Sequence, residues 1–431
     1  MNFNKLTAIA SALTLATGLS ACGGGGGSAS SGTTGTAAVG TITGFGSVFV
    51  NGVEYETSGA SIRIDGQTAR ENDLAVGMVA EVSGVSAGSS GTAISINVDD
   101  ELEGVVLDTS GIAADGTGSM NIMGQTVMLD TNTLFDSNVP GIADPTQVAA
   151  GNVVEVNGYS DGNGNVIATR IEVKAQDMAS YGGTIELKGV VRNLDTAALR
   201  FDIGDLSVDY SAASRVDGAL AEGLYVEVKS DRAPTMNPPY TLTASSVERE
   251  DDGRKGHQGD EGEDFEIKGM IATVSGDNFT LMDGTAVITD ASTQFEHGSV
   301  NDLATNVMVE VEGYFDADGN LVANEINFED DGYTNQSEYR GTVTNISVTP
   351  GTVNIGSVTM TLGDGSSQTF VINNNTIMKD SSTNGEHRFN LQALETALLA
   401  GQTLYVEINA YVDTATGDNV AVKLEREDSM T

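Results

Sequence analysis

Tryptophan is absent from this chain of 431 residues, which has only 1 cysteine, 3 histidines and 6 prolines. A single cysteine excludes an internal disulfide, and the histidines form no His-x-His or HExxH pair for zinc. We therefore predict that the protein is not an enzyme and has no cofactor, with calcium as the one exception considered below.

Basic residues are also few. The chain has 20 Lys and Arg against 61 Asp and Glu, which gives a formal net charge of −41. Binding to nucleic acid depends on clustered Lys and Arg that neutralise phosphates, and this chain would repel a polyanion. We predict that nucleic acid is not a partner.

Long apolar runs are confined to the N-terminus, where Lys5 precedes the apolar stretch 6–19. This pattern predicts a signal peptide over residues 1–21, which is too short for a membrane span of about 20 apolar residues. It ends in Leu19-Ser20-Ala21-Cys22, which resembles the lipobox of bacterial lipoproteins. The resemblance implies cleavage before Cys22, lipidation of Cys22 and anchoring to a membrane. Gly23, rather than Asp, follows the cysteine, which favours the outer membrane.

Residues 22–37 are rich in Gly, Ser and Thr. Chains of this composition behave as random coil, so we predict a flexible tether between the lipid and the folded part.

The rest of the chain is repetitive. Each unit opens with glycine and an apolar or β-branched pair, continues to a strand of the V-E-V type, and closes with a strand that begins at alanine. These signals predict five modules, named here modules 1 to 5, over 38–100, 101–175, 184–250, 265–331 and 338–428. An acidic linker over 251–264 separates modules 3 and 4.

Within each module, apolar and polar residues alternate with the period of a strand. Asn51-Gly52 between two such runs predicts a tight hairpin, and Asn390 begins the best helical segment of the chain. The order of three strands, a short helix and two strands is that of an OB-like barrel of five strands. We predict an all-β, elongated tandem array of five such barrels that close their own edges; small β-sandwiches are the alternative.

The segments Gly44-Phe45-Gly46-Ser47-Val48-Phe49-Val50-Asn51-Gly52 and Asp73-Leu74-Ala75-Val76-Gly77-Met78 resemble the bacterial domain of unknown function family 5666. That family recurs in arrays behind lipoprotein signals. The resemblance implies a small β-barrel in an exported protein, and it supplies no catalytic residues.

Acidic clusters at the module junctions are candidate calcium ligands, because Ca²⁺ takes six to eight oxygen ligands. The alternative is a solvated linker, which is the common role of a charge run. The candidates are Asp99, Asp100, Glu101, Glu250, Asp251, Asp252, Glu329, Asp330 and Asp331. The turns that begin at Asp161 and Asp316 lack the glycine and glutamate of a calcium loop, which favours hairpin turns. Asp161, Asp316 and Asp318 remain further candidate metal ligands.

Two further sets of residues recur. The V-E-V glutamates (Glu81, Glu155, Glu227, Glu310 and Glu407) lack a repeated partner carboxylate, which favours an outward, solubilising role. Sugar binding is a second possibility, because OB-like surfaces can hold oligosaccharides. The candidate stacking aromatics are Phe45, Phe49, Tyr55, Tyr159 and Tyr314.

Together these observations predict a lipid-anchored, acidic protein of the cell envelope that acts as a non-enzymatic binding or spacer protein, with calcium as the candidate ion that orders it. The alternatives are a surface adhesin with a glycan or protein partner and an envelope enzyme whose site forms across modules.

Overall fold

One order of strands recurs five times in the computed structural model, which describes residues 34–160, 164–249, 264–281, 285–305, 307–328, 336–383, 385, 388–413 and 416–429. Module 1 consists of β1 (Thr34–Phe45), β2 (Val48–Val50), β3 (Val53–Glu56), β4 (Ser61–Ile64), β5 (Gln67–Ala69), β6 (Val79–Ala87) and β7 (Ser90–Val98). Module 2 consists of β8 (Leu102–Ile112), β9 (Gly118–Ile122), β10 (Gln125–Leu129), β11 (Leu134–Ser137), β12 (Val153–Ser160) and β13 (Asn165–Ala175).

The remaining modules follow the helical turn α1 (Met178–Tyr181). Module 3 consists of β14 (Ile185–Val190), β15 (Arg192–Asp195), β16 (Arg200–Ile203), β17 (Leu206–Asp209), β18 (Arg215–Val216), β19 (Tyr225–Ser230), β20 (Tyr240–Thr243) and β21 (Ser246–Arg249). Module 4 consists of β22 (Asp264–Ser275), β23 (Asn278–Leu281), β24 (Ala286–Ile288), β25 (Gln294–Glu296), β26 (Met308–Phe315) and β27 (Leu321–Phe328). Module 5 consists of β28 (Ser337–Val348), β29 (Gly356–Leu362), β30 (Ser367–Ile372), β31 (Ile377–Asp380), α2 (Leu391–Leu399), β32 (Tyr405–Val412) and β33 (Asn419–Glu427).

Each module closes through its last strand. In module 1, β7 runs antiparallel to β6 and parallel to both β3 and β4, while β6 also pairs with β1. The same parallel pairings join β13 to β10 and β11, β27 to β24 and β25, and β33 to β30 and β31. In module 3 the last strand is divided into β20 and β21, which pair with β17 and β18. The prediction of OB-like barrels is confirmed.

Two glycine positions shape these barrels. The register of β1 shifts between Ile42 and Gly44, where the strand passes from β6 to β2. A second shift occurs at Gly158 in β12, where a Cβ atom would lie 2.1 Å from the carbonyl oxygen of Ile167. Only glycine allows the two strands to approach this closely.

A helical segment precedes the penultimate strand in four modules. Three are single 3-10 turns, and the fourth is α2, whose N-cap Asn390 accepts a hydrogen bond of 2.8 Å from the backbone nitrogen of Ala393. These segments confirm the prediction for modules 1, 2, 4 and 5, whereas the described residues of module 3 have only turns at this place. The 3-10 turns are Glu71–Asp73, Pro145–Gln147 and Val300–Asp302. No helix in the described ranges has the length and apolarity to cross a bilayer.

The modules are not strung out in a line, so the predicted elongated array is wrong. Residues 33–431 form one compact unit. The barrels also do not close every edge: β1 pairs in parallel with β22, and β8 pairs antiparallel with β14. Modules 1 and 4 therefore share one sheet, modules 2 and 3 share another, and Val39 of module 1 belongs to the core of module 4.

Candidate functional site

A turn of one type follows the third strand of three modules. In module 2, the Asp130 side chain accepts hydrogen bonds from the backbone nitrogens of Asn132 (2.7 Å) and Thr133 (2.9 Å). The Thr133 hydroxyl then donates to the carbonyl oxygen of Ala168 in the last strand (2.8 Å). These bonds fasten the turn to the barrel wall, as is typical of Asx turns.

The same turn occurs in modules 4 and 5. Thr293 donates to the carbonyl oxygen of Ala323 (2.9 Å) and Thr376 to that of Ala421 (2.8 Å). The sequence signal is Asp or Asn followed three positions later by Thr, in Asp130–Thr133, Asp290–Thr293 and Asn373–Thr376. Sequence reasoning missed this repeat.

The turn of module 5 and strand β12 of module 2 both contact module 1. The Thr43 hydroxyl of module 1 donates to the carbonyl oxygen of Asn374 (2.8 Å), and the Asn374 amide donates to the carbonyl oxygen of Gly52 (2.8 Å). Thr41 of module 1 lies 3.1 Å from the Tyr159 hydroxyl of module 2, oxygen to oxygen. Polar contacts therefore hold the three modules around a common centre.

A cavity of about 250 Å³ occupies this centre and is lined by modules 1, 2, 4 and 5. Its polar lining consists of Thr41, Thr43, Asn51, Asp130, Asn132, Tyr159, Thr169, Lys268, His297, Asn327, Asn373, Asn375 and Tyr411. Amides and hydroxyls outnumber the charged groups, although the protein as a whole is highly acidic. The volume is close to the lower end of the range for small-molecule pockets, about 300 to 1,000 Å³.

Asn132 is the most unusual residue of the lining. It is 4 % exposed, and neither its amide oxygen nor its amide nitrogen has a hydrogen-bond partner. A buried polar group without a partner costs about 1 to 3 kcal/mol. Such a group indicates a place where a ligand or water completes the hydrogen bonds.

The charges of the cavity are balanced. Burial raises the pKa of Asp130, against the hydrogen bonds from Asn132 and Thr133, which lower it. Lys268 supplies a positive charge, and His297 Nδ1 lies 2.8 Å from Asn327 Oδ1 at the rim. The cavity therefore has no strong charge of one sign to attract an ion.

A network of ion pairs, in which both cations are buried, joins module 5 to module 2. The Lys379 ammonium donates to the carbonyl oxygen of Phe135 (2.6 Å) and lies 3.3 Å from the Asp136 carboxylate. Arg170 pairs with the same carboxylate. Although burial acts to raise it, the charges of Lys379 and Arg170 hold the pKa of Asp136 below its usual value.

The candidate aromatic residues separate into two groups. Phe45, Phe49 and Tyr55 are at most 1 % exposed and belong to the interior, so they do not form a stacking surface. Tyr159 lines the central cavity, and Tyr314 is 38 % exposed.

The V-E-V glutamates are not all outward. Glu155 and Glu227 are 8 % exposed and pair with Lys174 (2.6 Å) and Lys229 (3.0 Å), so the solubilising role is wrong for both. Lys229 lies two residues after Glu227 on β19, so the two side chains are on the same face of the strand. Lys174 lies on β13, two residues after the residue opposite Glu155, and so shares the face of that glutamate.

The junction acids fall into two sets. Asp99 is exposed, whereas Asp100 is 2 % exposed and accepts a hydrogen bond from Asn157. Burial, followed by the charges of Glu155 and Asp65, raises the pKa of Asp100 well above its usual value. Cys22 and the acids at 250–252 and 329–331 lie outside the described residues, so calcium at the junctions stays a prediction.

One acidic group was not predicted. Carboxylate oxygens of Glu266, Glu310 and Glu312 lie within 4.8 Å of one another, and this is the one such trio in the described part of the chain. Burial, followed by the charge of Glu312, raises the pKa of Glu266 to about 7. The register explains the trio, since Glu266 lies directly opposite Glu312 and Glu310 is two residues away on the same face.

A serine nucleophile finds no support in the described strands. Gly84–Gly88 has the pattern G-x-S-x-G, but Ser86 lies within β6, which leads into a β-hairpin. The pattern activates serine only at a strand-to-helix turn.

Fold and cavity together define a tandem array of OB-like barrels that share one polar site. The family model described as "Domain of unknown function (DUF5666)" matches residues 38–97, 103–172, 268–327 and 340–425. These segments make up more than half of the chain, so the protein belongs to the DUF5666 family. Module 3 lies outside the matched segments although its strand order is the same.

A comparison with curated proteins found no match. Among solved structures, the chain is similar to "drosophila Unr CSD456", with 14 % sequence identity over 57 % of this chain and 97 % of that chain. The TM-score of 0.14 is too low to support an argument.

Proposed function

We propose that this protein is a non-enzymatic binding protein of the cell envelope, and that its central cavity holds a small, neutral, hydroxyl-rich ligand of the saccharide class. The observation that carries the proposal is the Asn132 amide, which is buried at the cavity with both polar atoms unpartnered. An amide offers two donors and an acceptor, which suits a ligand with many hydroxyl groups.

The rest of the lining supports the same ligand class. Threonine hydroxyls and asparagine amides dominate it, and Tyr159 and Tyr411 add phenol rings. A saccharide needs many hydrogen bonds and little charge, whereas an ionic ligand would need the excess charge that this cavity lacks.

The compact arrangement favours binding over a spacer role. An extended string would separate the modules, but the cavity requires modules 1, 2, 4 and 5 to meet. We further propose that the lipid on Cys22 attaches the protein to the outer membrane. Residues 34–37 of the predicted tether belong to β1, so the tether would be the segment between Cys22 and β1.

Isothermal titration calorimetry with a panel of mono- and disaccharides tests the ligand class. The informative variant is Asn132→Ser, because serine occupies the equivalent place in module 4, at Ser292. We expect one sugar to bind the wild-type chain at least tenfold more tightly than the variant. The reciprocal change Ser292→Asn, at an exposed turn, is the matched control and should leave the affinity unchanged. If no sugar binds the wild type, or if Asn132→Ser binds the sugar as tightly as Ser292→Asn does, the saccharide proposal is wrong.

Lipid attachment is tested separately by metabolic labelling with a clickable palmitate analogue. The wild-type chain should be labelled and sediment with membranes, whereas Cys22→Ser should be unlabelled and released. A labelled Cys22→Ser variant would refute the anchor.

A further inference from the structure

The first strands of modules 1 to 4 are joined in pairs along one edge. The N-terminal part of each first strand pairs with the first strand of another module, β1 with β22 and β8 with β14. These pairings cover a backbone edge that the other strands of the same module leave open. Such an edge, when uncovered, presents unpaired N–H and C=O groups and readily takes up another strand.

Module 5 differs from the other four modules at this edge. Its first strand, β28, pairs with β32 over 337–342 and with β29 over 341–348. Within the described ranges, no strand of another module pairs with β28. The second edge of 337–339 is therefore uncovered in this part of the chain, and the side chains of Ser337 and Glu338 are exposed.

The pairing of β8 with β14 shows how such an edge is covered by its own equivalent. Leu102 and Leu187 each lie two residues before the opening glycine of their module, and they lie directly opposite each other. Antiparallel strands whose equivalent residues meet in this way are related by a local twofold axis. The residue of β28 at the same place is Tyr339, two residues before Gly341.

The charges on either side of Tyr339 complement each other. When two copies of β28 pair antiparallel with Tyr339 at the twofold axis, Glu338 of each copy lies opposite Arg340 of the other. Opposite charges at directly opposed positions stabilise a pair of strands, whereas a parallel arrangement in register would set like charges side by side. Within one chain, Arg340 Nε lies 2.8 Å from Glu338 Oε1, so both side chains already share one face of the sheet. They are 53 % and 48 % exposed and thus accessible to a second copy.

We propose that the uncovered edge of β28 is a homodimer interface, to which a second copy of this chain adds its own β28 in antiparallel orientation. The pairing occupies the uncovered edge of both copies, so association stops at the dimer. Every module then has its first strand paired with another first strand. The interface consists of backbone hydrogen bonds and two symmetric contacts between Glu338 and Arg340, as in other cases where a strand is added to a sheet edge.

Sedimentation velocity of the purified full chain, over a series of concentrations, tests the proposal. The chain carries Cys22→Ser, so that neither a lipid nor a thiol causes association. We expect a saturable shift from monomer to dimer as the concentration rises, with no larger species. A monomer at every concentration, or association that continues beyond the dimer, would overturn the interface.

Charge reversal identifies the edge that pairs. Glu338→Arg and Arg340→Glu each set like charges opposite each other at two places in the dimer, and each should weaken it at least tenfold. An equimolar mixture of the two variants should dimerise again, because each arginine of one chain then faces a glutamate of the other. Arg63→Glu, on the exposed β4–β5 hairpin, is the matched control and should leave the dissociation constant unchanged. Equal dimerisation of all variants, or no recovery in the mixture, would contradict the antiparallel register.

A disulfide provides a measurement that does not depend on these charges, and it serves if a charge variant fails to fold. Residues directly opposite each other in an antiparallel pair have Cα atoms about 4.5 to 5.5 Å apart, which suits a disulfide. In the Cys22→Ser chain, Tyr339→Cys should therefore form a crosslinked dimer on mild oxidation. Ser337→Cys is the control, because residue 337 would lie about 14 Å from its own copy. Crosslinking at 337 and not at 339 would overturn the proposed axis.

Discussion

The ammonium of Lys379 donates a hydrogen bond of 2.6 Å to the carbonyl oxygen of Phe135, and this contact joins module 5 to module 2. Asp136 and Glu425 carry the matching negative charges, 3.3 and 3.8 Å from the same nitrogen. The lysine side chain is 10 % exposed, and these carboxylates lie beside its charge.

Replacing Lys379 by methionine should therefore destabilise the protein. The change removes the hydrogen bond from a charged donor to the Phe135 carbonyl oxygen, which is worth about 1.5 to 3 kcal/mol. Asp136 and Glu425 each lose one cation but keep Arg170 and Lys423 as partners. Urea denaturation followed by circular dichroism measures the loss. Arg63→Met, on the exposed β4–β5 hairpin, is the control and should cost less than about 1 kcal/mol. Similar losses in both variants would show that the module 2–module 5 contact contributes little.

The bulge at Gly158 provides a second test. A Cβ atom there would lie 2.1 Å from the carbonyl oxygen of Ile167, and backbone atoms of a paired strand cannot move aside cheaply. We expect Gly158→Ala to lower the free energy of unfolding by about 1 to 3 kcal/mol. Gly59→Ala, where nothing lies within 4 Å of the added atom, should have no cost or a small gain. Equal stability of the two variants would contradict the close approach of β12 and β13.

The raised pKa of Asp100 predicts that the stability of the protein depends on pH. Burial, followed by the charges of Glu155 and Asp65, raises its pKa in the folded state, so the folded protein holds this proton more tightly than the unfolded chain. Its contribution to stability is favourable below the unfolded pKa of about 3.9 and is lost as the pH rises through the folded pKa.

Asp100→Asn removes this loss and keeps an acceptor for the Asn157 amide. The variant should be more stable than the wild type at pH 7, and the advantage should vanish toward pH 3. Thermal melts across this range provide the measurement, with the exposed neighbour change Asp99→Asn as the control. A constant difference at all pH values would argue against titration of Asp100.

The repeated turn can be tested at its threonines. Thr376 is fully buried, and its hydroxyl donates to the carbonyl oxygen of Ala421. Thr376→Val keeps the shape but leaves that oxygen unpaired, at an expected cost of about 1 to 3 kcal/mol. Thr133→Val should also destabilise the protein, because Thr133 makes the same bond in module 2. Thr68→Val, at an exposed position of β5, is the control and should leave the stability unchanged. The measurement is the urea midpoint, and a neutral Thr376→Val would show that the turn does not depend on this bond.

The parts of the fold that the sequence predicts are those with local causes. Asn51 and Gly52 adopt φ values of +48° and +73°, as a tight hairpin between two alternating runs requires. Asn390 caps α2 because its side chain reaches a backbone nitrogen three residues away. Both features depend only on neighbouring residues, so the pattern is visible along the chain.

The contacts between modules have no such local signal. The pairing of β1 with β22 and the orphaned amide of Asn132 arise only when distant segments meet. The cluster of Glu266, Glu310 and Glu312 is predictable from the sequence only in part. Aligning the V-E-V strands places Glu312 where module 3 has Lys229, but the opposing Glu266 becomes its neighbour only through the strand register.

The parallel pairing of β1 with β22 also constrains the order of folding. Thr36 pairs with Asp264, and the whole of modules 2 and 3 lies between them in the chain. During synthesis, which starts at the N-terminus, the outer edge of β1 stays unpaired until β22 of module 4 has emerged. Loop closure over such a distance is slow, and an exposed strand edge is open to wrong partners in the meantime. The sheet that modules 1 and 4 share is thus completed late in folding, after the chain of modules 2 and 3 has been made.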